Sequence, residues 1–178
     1  MVAILQTPGV PTQADFHAAI ASRSDRWFAA CLKITRNRAM AEDAVQDALL
    51  SAWNKRHQFT GSSRLETWIH RIVVNSALQL IRKKKPDTFD LTETDIPDNS
   101  ARPDAAMAES QLDDQLATAM GELTDMERVC FVLKHLEQWQ LREIADEIDA
   151  NVNTVKQALF RGVRKLRPQM QALKGATP

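Results

Sequence analysis

The stretch that decides the fold is residues 140–167, which read QLREIADEIDANVNTVKQALFRGVRKLR. Apolar residues recur there at helical spacing on both sides of a polar turn, at Leu141, Ile144, Ala145, Ile148, Val152, Val155, Leu159 and Leu166. Two short helices with such stripes can share one small core, because residues three and four apart lie on the same helical face. The pattern predicts a helix-turn-helix.

The second of these helices carries a positive charge that no neighbouring acid balances. Between Asn151 and Pro178 there are six Lys or Arg residues and no Asp or Glu. A basic helix of this kind suits contact with the phosphates of a nucleic acid. The alternative is a helical hairpin with a solvated basic face, since basic helix ends also complement the helix dipole.

Charge is segregated along the chain, although its 23 basic and 23 acidic side chains cancel overall. Residues 1–85 hold 13 Lys and Arg against 6 Asp and Glu, a net charge of +7. Residues 86–110 hold 1 against 7, a net charge of −6, and residues 111–178 hold 9 against 10. Segregation of this kind indicates separate modules with separate partners.

A helix predicted from Ala39 to about Lys55 has one apolar residue on its polar side. Its apolar arc consists of Ala44, Val45, Ala48, Leu49, Ala52 and Trp53. The opposite side carries Asp43, Gln46, Asp47 and Leu50. A single exposed Leu is ordinary on a protein surface. A Leu surrounded by acids indicates a docking patch, named here the acidic patch.

A loop with turn chemistry, HQFTGSSR at residues 57–64, precedes a long predicted helix that begins near Arg64 and that Pro86 ends. The helix is expected to bury Leu65, Trp68, Ile69, Ile72, Val73 and Leu80. Its other side carries a polar stripe of Arg71, Asn75 and Arg82, which runs into three lysines at 83–85. Beside a loop that contains Phe59, this stripe suits a nucleic-acid contact, although it also fits a solvated surface.

No strand pattern in the sequence is long enough to support a β-strand. The helical patterns therefore predict an all-α chain of two helical domains joined by a flexible acidic linker. In the second domain, Thr124 is expected to cap a helix that carries Val129, Cys130 and Leu133. The predicted divisions are a disordered leader at 1–12, a first domain at 13–86, the linker at 87–110, a second domain at 111–172 and a tail at 173–178.

Several classes of function are disfavoured. No apolar run approaches the roughly 18 residues of a membrane span, so no membrane insertion is expected. Cys31 and Cys130 sit among apolar residues without a metal-ligand spacing, which favours buried free thiols. Glu66 and His70 form an i, i+4 pair without a third ligand. We therefore expect no metal, no cofactor, no catalytic residue and no enzymatic activity.

These parts together resemble the bacterial extracytoplasmic-function (ECF) sigma factors, a class of the sigma-70 family of RNA polymerase specificity subunits. The matching residues are AEDAVQDALLSAW at 41–53, Phe59, Gly61 and Ser62 in the loop, TWIHRIVVNSALQLIRKKK at 67–85, LTDMERVCFVLKHLE at 123–137 and the helix-turn-helix. Two departures stand out. The family usually has a basic residue in place of Ala158 and a Gly in place of Asp149, where Asp also tolerates a left-handed turn.

The resemblance implies a role for each motif. The acidic patch would dock on the clamp coiled-coil of the largest subunit of core RNA polymerase, and the helix near 126–136 on the flap of the second-largest subunit. The loop and stripe would hold minus-ten promoter DNA through His57, Phe59, Thr60, Ser62, Ser63, Arg71, Asn75, Arg82 and Lys83. The second helix of the helix-turn-helix would read the minus-35 element through Thr154, Lys156, Gln157, Phe160, Arg161, Arg164 and Lys165.

As such a factor, the chain would nucleate promoter melting for transcription initiation and serve a stress response. The expected partners are core polymerase, promoter DNA and an anti-sigma factor. The expected location is the cytoplasm, at the nucleoid or held at the membrane by the anti-sigma factor. The alternative is a LuxR/response-regulator-like helix-turn-helix regulator that never joins core polymerase. Such a regulator would carry a βα receiver domain or sensor in its front half, where this chain has helical patterns.

Overall fold

The computed structural model of the chain describes residues 9–84 and 118–175, with the side chains of the last helix described as far as Pro168. All regular elements in these ranges are helical, as the all-α prediction requires. The chain divides into two compact units, Met1–Leu80 and Ile81–Pro178. The predicted acidic linker at 87–110 and most of the predicted leader lie outside the described residues.

The first unit is built from three long helices. Helix α1 spans Gln13–Thr35, α2 spans Arg38–Asn54 and α3 spans Leu65–Lys84, and a 3-10 turn at Arg56–Gln58 follows α2. Helix α1 is one continuous element of 23 residues. It begins at a capping box, in which the Asp15 N–H donates to Thr12 Oγ1 and the Thr12 N–H donates to the Asp15 carboxylate. The side-chain hydrogen bond from Thr12 lowers the pKa of Asp15 below its usual value.

The core of the first unit lies where α1 meets α2 and α3. Helix α2 contributes a stripe of small side chains, Ala41, Ala44, Ala48 and Ala52, which lets α1 pack closely against it. Cys31 on α1 lies with its sulfur 3.8 Å from the Val73 carbonyl of α3. The largest fully buried side chains of the unit are Trp27, Ile34, Ile69, Val73, Val74 and Leu78.

The buried face of α3 differs from the predicted one. Ile69 and Val73 are buried as expected, but Leu65, Trp68, Ile72 and Leu80 are only half-buried. Val74, Ala77, Leu78 and Ile81 are buried in their place. The apolar residues of α3 cover more than one face, so periodicity alone could not rank them.

The second unit contains the predicted helix-turn-helix. After a helical segment at 118–120, α4 spans Asp125–Phe131 and continues into a π-helical turn at Val132–Leu136. Helix α5 then spans Leu141–Glu147 and α6 spans Val152–Gly175. The second helix of the motif is thus much longer than the short helix that was predicted, and it contains Pro168. It also runs into the predicted tail at 173–178.

The start of α4 confirms the predicted Thr124 cap. Thr124 Oγ1 accepts the Glu127 N–H at 3.2 Å, and the Glu127 carboxylate accepts the Thr124 N–H at 3.1 Å. The core behind it includes Leu123, Leu133, Ile144, Ile148 and Leu166, each at most 2% exposed. Both cysteines are buried free thiols, as predicted. Burial raises the pKa of Cys130 to about 12, so this thiol stays protonated at neutral pH.

Candidate nucleic-acid interface

The acidic patch lies on the face of α2 that points away from the core. Asp43, Gln46, Asp47 and Leu50 are all exposed. Leu50 is 66% exposed, as the helical projection predicts. The alanine stripe on the other face of α2 is fully buried, so the orientation of the helix is fixed by packing. The result is one exposed apolar side chain set among exposed acids on a helix whose orientation is fixed.

The loop at residues 57–64 is anchored by Phe59, and its other residues are exposed. Phe59 is half-buried, and its ring centroid lies 5.6 Å from that of Trp68 on α3. Beyond this anchor the chain turns at Gly61, whose φ of 70° lies in the left-handed region that Gly adopts without strain. The exposed residues around the turn are His57, Thr60, Ser62 and Ser63.

The hydroxyl groups of the loop form hydrogen bonds within the loop rather than to the helices of the unit. Thr60 Oγ1 donates to Ser62 Oγ at 3.1 Å, and Ser63 Oγ donates to the Arg64 carbonyl at 3.4 Å. Each hydroxyl keeps acceptor capacity that these bonds do not use. The loop thus presents neutral hydrogen-bonding groups above an aromatic base.

The polar stripe of α3 combines a basic track with one unsatisfied amide. Arg71 and Lys83 are exposed, and Asn75 and Arg82 are half-buried. Within the described residues, no donor reaches the buried Oδ1 atom of Asn75. A buried acceptor without a donor costs free energy, so its presence needs a reason such as a ligand. Asn75 is therefore the member of the stripe with the strongest structural indication of a binding role.

The helix-turn-helix has the tight turn that its sequence predicts. Asp149 takes a φ of 54°, the left-handed conformation that Gly would otherwise supply. Asn151 then begins α6, because its Oδ1 accepts the Thr154 N–H at 2.8 Å. On α6, Lys156, Gln157, Phe160, Arg161 and Arg164 are all exposed. Phe160 is 70% exposed, which is unusual for an aromatic residue.

Two α6 residues lie off this exposed face. Thr154 is only 7% exposed, and its hydroxyl donates to Asn151 Oδ1 at 3.1 Å. Its hydroxyl therefore organises the start of the helix. Ala158, at the position where the resembled family usually has a basic residue, is fully buried. A small side chain there fills the core and presents nothing to a ligand.

One residue of this site was not identified from the sequence. Glu127 is buried, and its carboxylate pairs with two cations of α6: Lys165 Nζ lies 2.7 Å from Oε2 and Arg161 Nε lies 3.4 Å from Oε1. The sequence signal was the spacing of Thr124 and Glu127, which is that of a capping box. That signal explains the bond to the Thr124 N–H but not the pairing with α6.

The described residues include no group of His, Cys, Asp or Glu side chains arranged to hold a metal ion. None of the helices in the described ranges is long and apolar enough to cross a membrane.

Comparison with known proteins gives two family matches in the order of the two units. Residues 20–86 match the family described as Sigma-70 region 2, and residues 113–166 match Sigma-70, region 4. Together these matches span most of the chain and contain the acidic patch, the loop, the stripe and the helix-turn-helix.

The similar proteins are named as RNA polymerase sigma factors. The chain is 29% identical over 159 residues to the ECF RNA polymerase sigma factor SigW of Bacillus subtilis, covering 84% of this chain and 85% of SigW. It is 24% identical over 147 residues to SigX of the same organism, covering 79% and 76%. A solved structure of the sigma factor RpoE with the anti-sigma factor NepR from Bartonella quintana matches with a TM-score of 0.59 and 22% identity, covering 88% and 97%. That likeness supports the fold.

Proposed function

Because the chain belongs to the extracytoplasmic-function class of the sigma-70 family of RNA polymerase sigma factors, we propose that it directs core RNA polymerase to promoters through the surfaces described above. The observation that carries the proposal is the presence of both DNA-facing surfaces and the acidic patch in one chain. A helix-turn-helix alone would serve many regulators. Combined with an exposed Leu50 among acids on α2, it serves a subunit that binds polymerase and DNA together.

The acidic patch is the proposed contact with the clamp coiled-coil of the largest polymerase subunit. Asp43, Gln46 and Asp47 provide charge and hydrogen-bond acceptors around Leu50, which supplies an apolar anchor. The helical segment near residues 126–136 is the proposed contact with the flap of the second-largest subunit. The protein itself contributes binding energy and positioning, and the chemistry of RNA synthesis belongs to the polymerase.

The loop and the stripe are the proposed site for single-stranded minus-ten DNA. The loop offers hydroxyls beside an aromatic pair, which suits a base that has left the stack. The stripe of Arg71, Asn75, Arg82 and Lys83 offers cations and an unused acceptor for the strand that follows. Contacts made only to the open strand offset the few kcal/mol that unpairing costs, so melting proceeds without ATP.

A substitution at Asn75 separates this role from stability. Asn75→Ala removes the unsatisfied Oδ1, so we expect the melting temperature to stay unchanged or to rise by a few degrees. We also expect open-complex formation to fall roughly tenfold, as the loss of one charge-assisted or neutral hydrogen bond to the strand implies. Permanganate reactivity of unpaired thymines, measured with core polymerase present, gives the second quantity. Unchanged reactivity would remove Asn75 from the site.

The exposed face of α6 is the proposed reader of the minus-35 element in the major groove. Gln157 suits an adenine edge, Lys156 and Arg161 suit guanine edges, and Phe160 adds an apolar contact. Arg164 and Lys165 are the proposed phosphate contacts.

Substitution of a residue that contacts a base edge should change binding differently from substitution of a residue that contacts phosphate. We expect Gln157→Ala to relax base preference at one position of a promoter library by about 1 to 3 kcal/mol, leaving the other positions unchanged. Arg164→Ala is expected to weaken all library members alike and to reduce the salt dependence by about one counterion. Both side chains are exposed on the same helix, so each variant serves as the control for the other. Indistinguishable preference profiles would contradict the division.

An anti-sigma factor is a further proposed partner, since the solved RpoE neighbour is in complex with one. In the proposed arrangement it occludes the polymerase-binding faces until a signal releases the sigma factor. The proposed location is the cytoplasm, at the nucleoid when active and at the membrane when the anti-sigma factor is itself membrane-bound.

The regulator alternative is not favoured, because the front half of the chain matches Sigma-70 region 2 and all its described elements are helical. Affinity purification separates the two functions directly. We expect the tagged chain to co-purify with added core polymerase at a one-to-one ratio and to bind promoter DNA tightly only in that complex. Tight promoter binding by the chain alone, with no association with core, would support the regulator.

A further inference from the structure

Glu127 links the start of α4 to the DNA-facing side of α6. Its side chain is 3% exposed, whereas those of its two cationic partners, Arg161 and Lys165, are 56% and 39% exposed. The buried carboxylate thus pairs with two cations whose side chains remain partly exposed to solvent. A buried charge is tolerated only when it is paired and hydrogen-bonded, and Glu127 meets both conditions.

The two helices lie close together at Gly162, which stands between the two cations on α6. A Cβ built on Gly162 would lie 3.6 Å from both the Cβ and the carbonyl oxygen of Glu127. That spacing is ordinary van der Waals contact, so the helix backbones are as close as small side chains permit. A larger residue would push α6 away from the carboxylate.

The pairing with Glu127 can orient the side chain of Arg161 for base recognition more than that of Lys165. Glu127 engages Arg161 through Nε, the nitrogen closest to the stem of the guanidinium. The Arg161 side chain is 56% exposed, so part of the guanidinium remains open to solvent. A guanidinium that is ion-paired on its Nε side can present its two terminal nitrogens as a planar fork, the arrangement that binds the O6 and N7 atoms of guanine. Lys165 has no such fork, so its pairing adds charge balance without directional information.

We propose that Glu127 is a positioning residue, which acts through Arg161 to fix a guanidinium fork for one guanine of the upstream promoter element. The proposal rests on the proposed function, in which α6 lies in the major groove. Fixing the side chain before binding removes part of the conformational entropy that an exposed Arg would lose on contact. Glu127 contributes to base preference in this way without touching DNA.

The test compares Glu127→Gln with the wild type in complex with core polymerase. The amide oxygen of Gln still accepts the Thr124 N–H, so the helix cap is retained while the charge that orients Arg161 is lost. The probe is a library of linear duplexes with about ten randomised upstream base pairs, one turn of duplex. We expect Glu127→Gln to lower guanine preference at one position by about threefold to tenfold, within the range for a single base contact.

Two matched variants test whether Glu127 acts on guanine preference through Arg161 or through Lys165. Arg161→Ala should abolish the same guanine preference, and adding Glu127→Gln to it should change that position no further, as coupled residues require. Lys165→Met, which removes the other partner of the carboxylate, should lower affinity for all sequences and leave the guanine preference intact. Glu127→Gln with an unchanged preference, or with an equal loss at every position, would overturn the positioning role. A wild-type complex that enriches no sequence would overturn the proposed function as well.

A measurement on the unaltered protein answers the same question if Glu127→Gln does not fold. The Nε–H resonance of Arg161, observed by nitrogen-15 NMR, should show restricted motion and slow exchange with water. The exposed Arg167 on the same helix provides the reference for an unrestrained side chain. Equal mobility at the two arginines would contradict the proposal.

Discussion

The double variant Asp47→Lys, Leu50→Ala is expected to bind core RNA polymerase roughly 100-fold more weakly than the wild type, with helix content and melting temperature unchanged. Leu50 is 66% exposed and Asp47 is exposed, so neither side chain supports the core of the first unit. Truncating an apolar anchor at an interface centre costs about 2 kcal/mol, and reversing an exposed complementary charge adds up to about 1 kcal/mol. Fluorescence anisotropy with labelled protein measures the affinity.

The matched control makes the same chemical changes elsewhere on the first unit. Asp25→Lys with Val10→Ala reverses one exposed acid and truncates one exposed aliphatic residue, since Val10 is 56% exposed. We expect this pair to leave core affinity within about twofold of the wild type, as surface substitutions outside an interface usually do. If both double variants lose affinity equally, the loss reflects net charge and the acidic patch is not the docking site.

Arg128→Ala is expected to destabilise the second unit by about 3 kcal/mol or more, because breaking a buried ion pair leaves its partner charge uncompensated. The Arg128 side chain is 4% exposed and forms an ion pair with Asp125, and its Nη1 also donates to the Leu123 carbonyl at 3.5 Å. Removing it leaves a carboxylate and a carbonyl in a poorly solvated site and creates a cavity where the stem packed. For a unit of this size, the melting temperature should fall by more than about 10 °C.

Arg142→Ala is the control for that experiment, because Arg142 is an exposed Arg on the neighbouring helix α5. Its loss should change stability by less than about 0.5 kcal/mol. Urea denaturation followed by circular dichroism measures both variants. Similar midpoints for the two would show that the Arg128 ion pair contributes no more than a surface charge.

The sequence predicted those features that follow from local spacing. The exposure of Leu50 follows from the alanine stripe on α2, since a helix that buries Ala44 and Ala48 must turn Leu50 outward. The Thr124 cap and the left-handed Asp149 follow from side-chain chemistry at helix ends and turns. These features require no knowledge of distant contacts.

The features that the sequence did not reveal depend on packing between helices. An acidic residue such as Glu127 is assigned to the surface by any hydrophobic pattern, and its burial becomes visible only once α6 is packed close to it near Gly162. The π-helical turn at Val132–Leu136 and the extension of α6 to Gly175 likewise have no local signal of their own. The roles of the individual DNA-facing residues remain predictions, since they depend on partners.

Transcription with purified components shows whether this chain confers promoter-specific initiation on core polymerase. Core RNA polymerase, the purified chain and fragmented genomic DNA are combined with nucleotides, and the 5′ ends of the transcripts are sequenced. We expect discrete start sites that share an upstream and a downstream element and that vanish without the chain. Transcripts that start at random, or that form equally well with core alone, would contradict this expectation.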